Sequence, residues 1–97
     1  MKEKAIQDRK ERELDDFKEL FKKAKRHDKA EMIRSYANKL EKNAIDRNEL
    51  TLEMREKIEW ARKKADWYDP FIEAVDELLW GIDREELKLV KKSFYWL

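Results

Sequence analysis

Along almost the whole of this 97-residue chain apolar residues recur at intervals of three and four, and a single glycine, Gly81, and a single proline, Pro70, interrupt them. That spacing suits a helix of about 3.6 residues per turn and excludes most sheet-forming patterns. Charged residues make up 48% of the chain and apolar residues 41%, so each helix has a narrow stripe to bury and a broad face for water. A chain of this length builds one domain around one modest core.

Periodicity divides the chain into five helices. Residues 1–13 carry Ala5 and Ile6 among charged and amide side chains, and read as a charged, poorly buried leader of the first helix. Residues 14–97 then form the helical domain. Leu14, Phe17, Phe21 and Ala24 make one stripe, with Leu20 beside it, ending in the cations Lys22, Lys23, Lys25 and Arg26 that suit a helix C-terminus. His27-Asp28 reads as a break with Asp28 as the next N-cap. A second helix, from about Lys29 to Ala44 or Ile45, carries Ile33, Tyr36, Ala37, Leu40 and Ala44 and returns against the first as an antiparallel hairpin. After the turn residues Asp46-Arg47-Asn48-Glu49, Thr51 caps a third helix that extends to Tyr68.

The third helix has two apolar faces. Met54, Ile58, Ala61, Ala65 and Tyr68 form one stripe, while Trp60 and Trp67 lie roughly 120–140° away. Two faces imply two neighbours: the preceding hairpin on the alanine side, and later helices or a partner on the tryptophan side. Asp69-Pro70 is the sharpest boundary, since Pro restricts the residue before it and suits a first helical turn. A fourth helix is expected over Pro70–Trp80, ended by Gly81 in the left-handed conformation. Asp83 and Glu86 form a capping-box variant before Leu87, Val90, Phe94 and Leu97 of a fifth. The expected fold is all-α, a compact bundle of four to five helices: a hairpin, a central third helix and a short second hairpin.

Composition narrows function further. With 24 Lys plus Arg against 23 Asp plus Glu, no global field favours nucleic acid or an anionic membrane. There is no cysteine, one histidine, and serine only at Ser35 and Ser93; thiolate chemistry is excluded and no nucleophile motif is found. His27 beside Asp28 is better explained as a helix junction than as a general base. No second histidine or Glu-x-x-His arrangement suggests a metal, and no cofactor or small-molecule substrate is expected. Met1-Lys2-Glu3-Lys4 runs into more charge rather than an apolar export segment, and no window approaches the ~20 apolar residues of a membrane span. A cytoplasmic protein is expected.

Two surfaces remain as candidates. Trp60, Trp67, Trp80, Tyr95 and Trp96 lean toward the C-terminal half, and Phe94-Tyr95-Trp96-Leu97 is longer than one helix face can bury. These rings either complete the core or form an interface with a protein partner or a second copy of the chain. The alternative is a nucleic-acid surface using Lys22, Lys23, Lys25, Arg26 and Lys29, with Arg62, Lys63 and Lys64 as a smaller patch.

At Ile33-Arg34-Ser35-Tyr36, Trp60-Ala61, Ala65-Asp66 and Asp69-Pro70 the chain resembles a helical C-terminal segment of uncharacterised bacterial proteins, over about residues 30–72. The resemblance implies a bacterial or phage origin and a module of a longer protein. It implies no activity and no functional residues.

Overall fold

The structure is a computed structural model and describes residues 2–89. Among these, helix α1 runs without interruption over Lys2–Asp46, 45 residues, and helix α2 over Leu52–Tyr68, 17 residues. Turns follow, then two-residue strands β1, Ile82–Asp83, and β2, Lys88–Leu89. The strands pair antiparallel, with Ile82 opposite Leu89 and Asp83 opposite Lys88.

The compact bundle of four to five helices is therefore not formed. The first correction lies at His27-Asp28, where α1 continues through the expected break. Neither residue is Gly or Pro, so the backbone ladder can run on, and Asp28 as an N-cap was a local signal with no breaker behind it. Continuity has a geometric consequence. On one straight helix, Leu14, Phe17, Phe21 and Ala24 centre about 180° from Ala30, Ala37 and Ala44. The two stripes cannot face each other, and they do not.

What α1 does bury is the alanine face. Ala30, Ala37 and Ala44, seven residues apart, are enclosed against α2, whose Ile58 and Ala65 are also seven apart and buried. Small side chains let the two backbones approach closely. Partner pairs fix the direction: Arg62 bonds Asn38 and Glu41, Arg34 bonds Asp66, and Arg26 bonds the Tyr68 carbonyl, so residue numbers rise on one helix as they fall on the other. The helices are antiparallel.

The connection has its own chemistry. The Glu49 amide donates to the Ala44 carbonyl at 2.8 Å and the Asn48 amide to Ile45 at 3.0 Å, with Asn48 at φ 55°, a left-handed helix ending that Asn tolerates. Thr51 Oγ1 accepts from the Met54 amide at 3.1 Å and starts α2.

The expected fourth helix is also absent. After Pro70 the Ile72 and Glu73 amides donate to the Asp69 carbonyl, but Glu73 turns to φ 47° and the turn stops. Phe71, Val75 and Leu78 remain exposed, so an amphipathic helix here would have had nothing to bury its stripe against. The Asp76 carboxylate instead accepts from the Leu78 and Leu79 amides. Gly81 is left-handed at φ 83°, yet it follows a turn and leads into β1. The expected fifth helix gives way to the hairpin. Asp83 Oδ1 accepts from Glu85 and Glu86, the Leu87 amide donates to the Asp83 carbonyl, and Leu87 at φ 55° reverses the chain. Asp in this setting serves a turn as readily as a helix start. Val90, Phe94, Leu97, Tyr95 and Trp96 lie outside the described residues.

Because α2 covers only the second half of α1, residues 2–20 stand, among the described residues, as a lone helix. The molecule measures 71 × 38 × 17 Å with a radius of gyration of 19.5 Å. A compact chain of this length would have about 12–13 Å.

Candidate functional site

The densest polar constellation sits where α2 ends against the middle of α1. Asp69 leaves the helix at φ −70°, ψ 121°, its amide still donating to the Ala65 carbonyl, and the residue is 2% exposed. Burial by itself pushes a carboxyl pKa up. Here it is outweighed: the Phe71 amide at 3.0 Å, Arg34 at 2.8 Å and His27 Nδ1 at 3.3 Å hold Asp69 below the usual carboxylate range. Arg34 spans Asp69 and Asp66, each at 2.8 Å, and also meets Glu31. These bonds raise its already high pKa. The His27 ring stands edge-on to Phe71, centroids 5.0 Å apart.

Two further arginines close the same end of α2. The last carbonyls of a helix lack intrahelical donors, and the last turn of α2 holds no basic residue. Arg26 Nε donates to the Tyr68 carbonyl at 3.0 Å and Arg84 Nε to the Trp67 carbonyl at 2.8 Å. Each guanidinium also lies over the ring of the residue whose carbonyl it caps, Arg26 at 5.7 Å from Tyr68 and Arg84 at 4.7 Å from Trp67. Arg84 belongs to the turn between β1 and β2, so this contact holds the hairpin against α2. Lys64 pairs with Asp76 and fastens the intervening turns; that pairing holds Asp76 below the usual carboxylate range.

His27, Glu31 and Asp69 place three potential ligand atoms within 4.8 Å of one another. The cluster already contains its cation. The Arg34 guanidinium bonds both Glu31 and Asp69, so a metal there would face a fixed positive charge.

The sequence-derived candidates separate. Trp67 is only 5% exposed, enclosed beneath Arg84. Trp60 is 57% exposed and edges an apolar cavity of about 330 Å³ with Ile33, Trp67, Tyr68, Leu79 and Leu87. Trp80 is exposed on the turn before β1. Tyr95 and Trp96 lie outside the described residues, so the structure brings Trp60 and Trp67 to one cavity and leaves Trp80 outside it.

Of the basic residues, Lys22, Lys25, Arg26 and Lys29 line a second cavity of about 230 Å³ with Phe21, Tyr68 and Glu85. Arg26 is buried, 3.6 Å from Glu85, and its Nη2 has no hydrogen-bond partner among the described residues. Lys23 does not line that cavity. Arg62 is engaged by Asn38, Glu41 and Glu59, and Lys64 by Asp76. Lys63 is exposed on α2. Lys29 and Lys64 both line the apolar cavity beside Trp60 and Trp67, so the two basic patches adjoin there, and the second is largely neutralised.

Sequence reasoning overlooked the lone half of α1 as a surface. Leu14, Phe17, Leu20 and Phe21 are 51%, 58%, 64% and 54% exposed, with Phe17 and Phe21 stacked at 6.1 Å. The available signal was the phase difference between the stripes on either side of His27. Arg34 as the hub of the polar network carried no sequence signal, since its partners lie 32 and 35 residues away.

Among the described residues no helix is long and apolar enough to cross a membrane. Comparison with protein families, with curated proteins and with solved structures finds no match to this chain.

Proposed function

We propose that this chain is a non-enzymatic helical protein-interaction module of a larger bacterial or phage assembly, working in the cytoplasm. The observation that carries the proposal is the exposed apolar patch of Leu14, Phe17, Leu20 and Phe21 on α1, of which, among the described residues, only Phe21 borders the rest of the chain, at the cavity it shares with Tyr68 and Glu85. Contiguous exposed apolar surface rimmed by charge is the usual mark of a docking face. The polar network supports the same reading, because its groups are spent on structure: Asp69, Arg34, Arg26 and Arg84 close the end of α2, and His27 serves Asp69. Replacing Phe17 by Glu tests the idea. The variant should keep the fluorescence of buried Trp67 and lose the assemblies that the unaltered protein forms, alone or in host extract with the captured chain identified by mass spectrometry. Assemblies that persist unchanged in Phe17→Glu would refute the proposal.

Nucleic-acid binding is the second reading, favoured by the convergence of Lys22, Lys25 and Lys29 on one open cavity. Affinity would then fall steeply with salt as bound counterions are released. Reversal of the three lysines should abolish binding to mixed-sequence DNA and RNA at ~50 mM salt, where non-specific contacts are strongest. Undetectable binding by the unaltered protein under those conditions removes this reading.

A further inference from the structure

The exposed patch on α1 is short, symmetric and bounded. Leu14, Phe17, Leu20, Phe21 and Ala24 occupy one side of the helix over about three turns. Farther along, the same side is mostly polar, with Asp28, Glu31, Ser35, Lys39 and Lys42 exposed and Met32, in line with Leu14, a large apolar residue among them. The side facing α2 is roughly opposite, and among the described residues only Phe21 of the patch borders the two-helix lobe, at the cavity it shares with Tyr68 and Glu85.

Its symmetry points to the occupant. Glu19 lies midway between Leu14 and Ala24 and midway between Phe17 and Phe21. A second α1 laid antiparallel about that point sets each Phe17 against the other chain's Phe21, and each Leu14 against the small Ala24. Leu20 approaches its own copy at one edge. The flanking charges follow the same centre. Lys10 and Asp28 are also equidistant from Glu19 and fall on the line of the patch, so antiparallel pairing brings each Lys10 to an Asp28 at both ends. Asp16 is opposed to Lys23 to within one residue in the same register, and Glu11 to Lys25 to within two. A parallel pair would instead set Lys10 against Lys10 and Asp28 against Asp28, close to the seam where like charges are costly. Against the antiparallel form stand the two Lys18 side chains, which are exposed and can splay into water.

We infer that the patch is the self-association face of this protein, covered by a second copy of α1 running antiparallel and centred on Glu19. The overlap extends over residues 2–36, about 50 Å of helix, long enough for the ~800 Å² per partner that stable interfaces bury. The isologous contact is closed by its two-fold axis, so it yields dimers rather than filaments. The two lobes lie near opposite ends of the paired helices, on outward faces.

The inference rests on the interaction proposal above, and the test separates their failures. Sedimentation equilibrium of the full chain at about 100 µM, well above a micromolar Kd, should give twice the 12.0 kDa chain mass. Phe17→Glu should weaken the dimer at least about thirtyfold, as loss of a central aromatic anchor does. Lys10→Glu should also weaken it, and the double variant Lys10→Glu/Asp28→Lys should restore it. Because the chain has no cysteine, a mixture of Lys10→Cys and Asp28→Cys chains should oxidise chiefly to the mixed disulfide dimer. Preferential Lys10→Cys homodimers, or no recovery in the charge swap, would overturn the antiparallel arrangement. A monomer at this concentration would overturn the second copy as occupant. If Phe17-dependent assemblies still formed in host extract, the interaction proposal would survive that result; without them it would fall as well.

Discussion

At Asp69 the ordinary rule for a buried acid is reversed. Desolvation pushes its pKa up, but the Phe71 amide, Arg34 and His27 all favour the charged form and prevail. The lowered folded-state value fixes the sign of the pH dependence. Stability from this site is fully present above the unfolded carboxyl value of about 3.9 and is lost as pH falls through the lower folded value. Asp69→Asn should therefore flatten part of the acid limb of a urea-midpoint series; Asp76 and Asp83, lowered for similar reasons, keep the remainder. An unchanged acid limb would show that Asp69 is not coupled to folding. Asp69→Ala should cost about 2 kcal/mol near neutral pH, within the ~1–3 kcal/mol for stranding a buried polar group's partners and not above it, since Arg34 retains Asp66 and Glu31. Asp69-Pro70 was legible in the sequence as the end of one helix. That its carboxylate would close α2 instead of opening another helix depended on Arg34, more than thirty positions away.

The helix α1 behaves as two elements joined end to end. Residues 26–46 have α2 beside them, whereas among the described residues those before Phe21 have no tertiary neighbour and Phe21, Lys22 and Lys25 only border a cavity with Tyr68 and Glu85. In monomeric Phe17→Glu protein, amide exchange should be slow around Ala30–Ala44 and fast before Lys22, because an isolated helix of this kind is marginal in water. Equal protection along α1 in that monomer would contradict the division. The alanine seam admits no added bulk: Ala37, fully enclosed, replaced by Leu should cost about 1–3 kcal/mol through overpacking, read as a lowered urea midpoint. Both helical stripes were legible from spacing alone. Their joint meaning was not, because a stripe records that a face is apolar and not which neighbour covers it. Across Arg26-His27-Asp28 the phase shift of about 180° already opposed folding one stripe onto the other, while the Asp28 cap signal favoured it.

Over the whole molecule, the consequence of a continuous α1 is an elongated shape in which length exceeds thickness severalfold. X-ray scattering from the monomeric Phe17→Glu chain should give a radius of gyration near the 19.5 Å of the structure; a value of about 12–13 Å, the expectation for a compact domain of this size, would mean that α1 folds back on itself. The lobe formed by the second half of α1, α2 and the hairpin has few large buried side chains, Ile58, Trp67 and Tyr68 among them. Guanidinium caps from Arg26 and Arg84 fasten it at one end, so Arg84→Ala should expose Trp67 and shift its fluorescence to the red while α2 stays helical by circular dichroism.

By itself the sequence determined what is set by local chemistry: helix along α1 and α2 from spacing and from the scarcity of glycine and proline, the α2 start from Thr51, and its end from Asp69-Pro70. Only the tertiary structure decided whether α1 bends at His27, whether a helix-start signal at Asp69-Pro70 or Asp83 becomes a helix or a turn, and which basic and aromatic side chains share a surface. The reason is physical. Caps and periodicity act within a few residues, whereas the choice between continuing a helix and turning back depends on which distant face is available to bury the stripe.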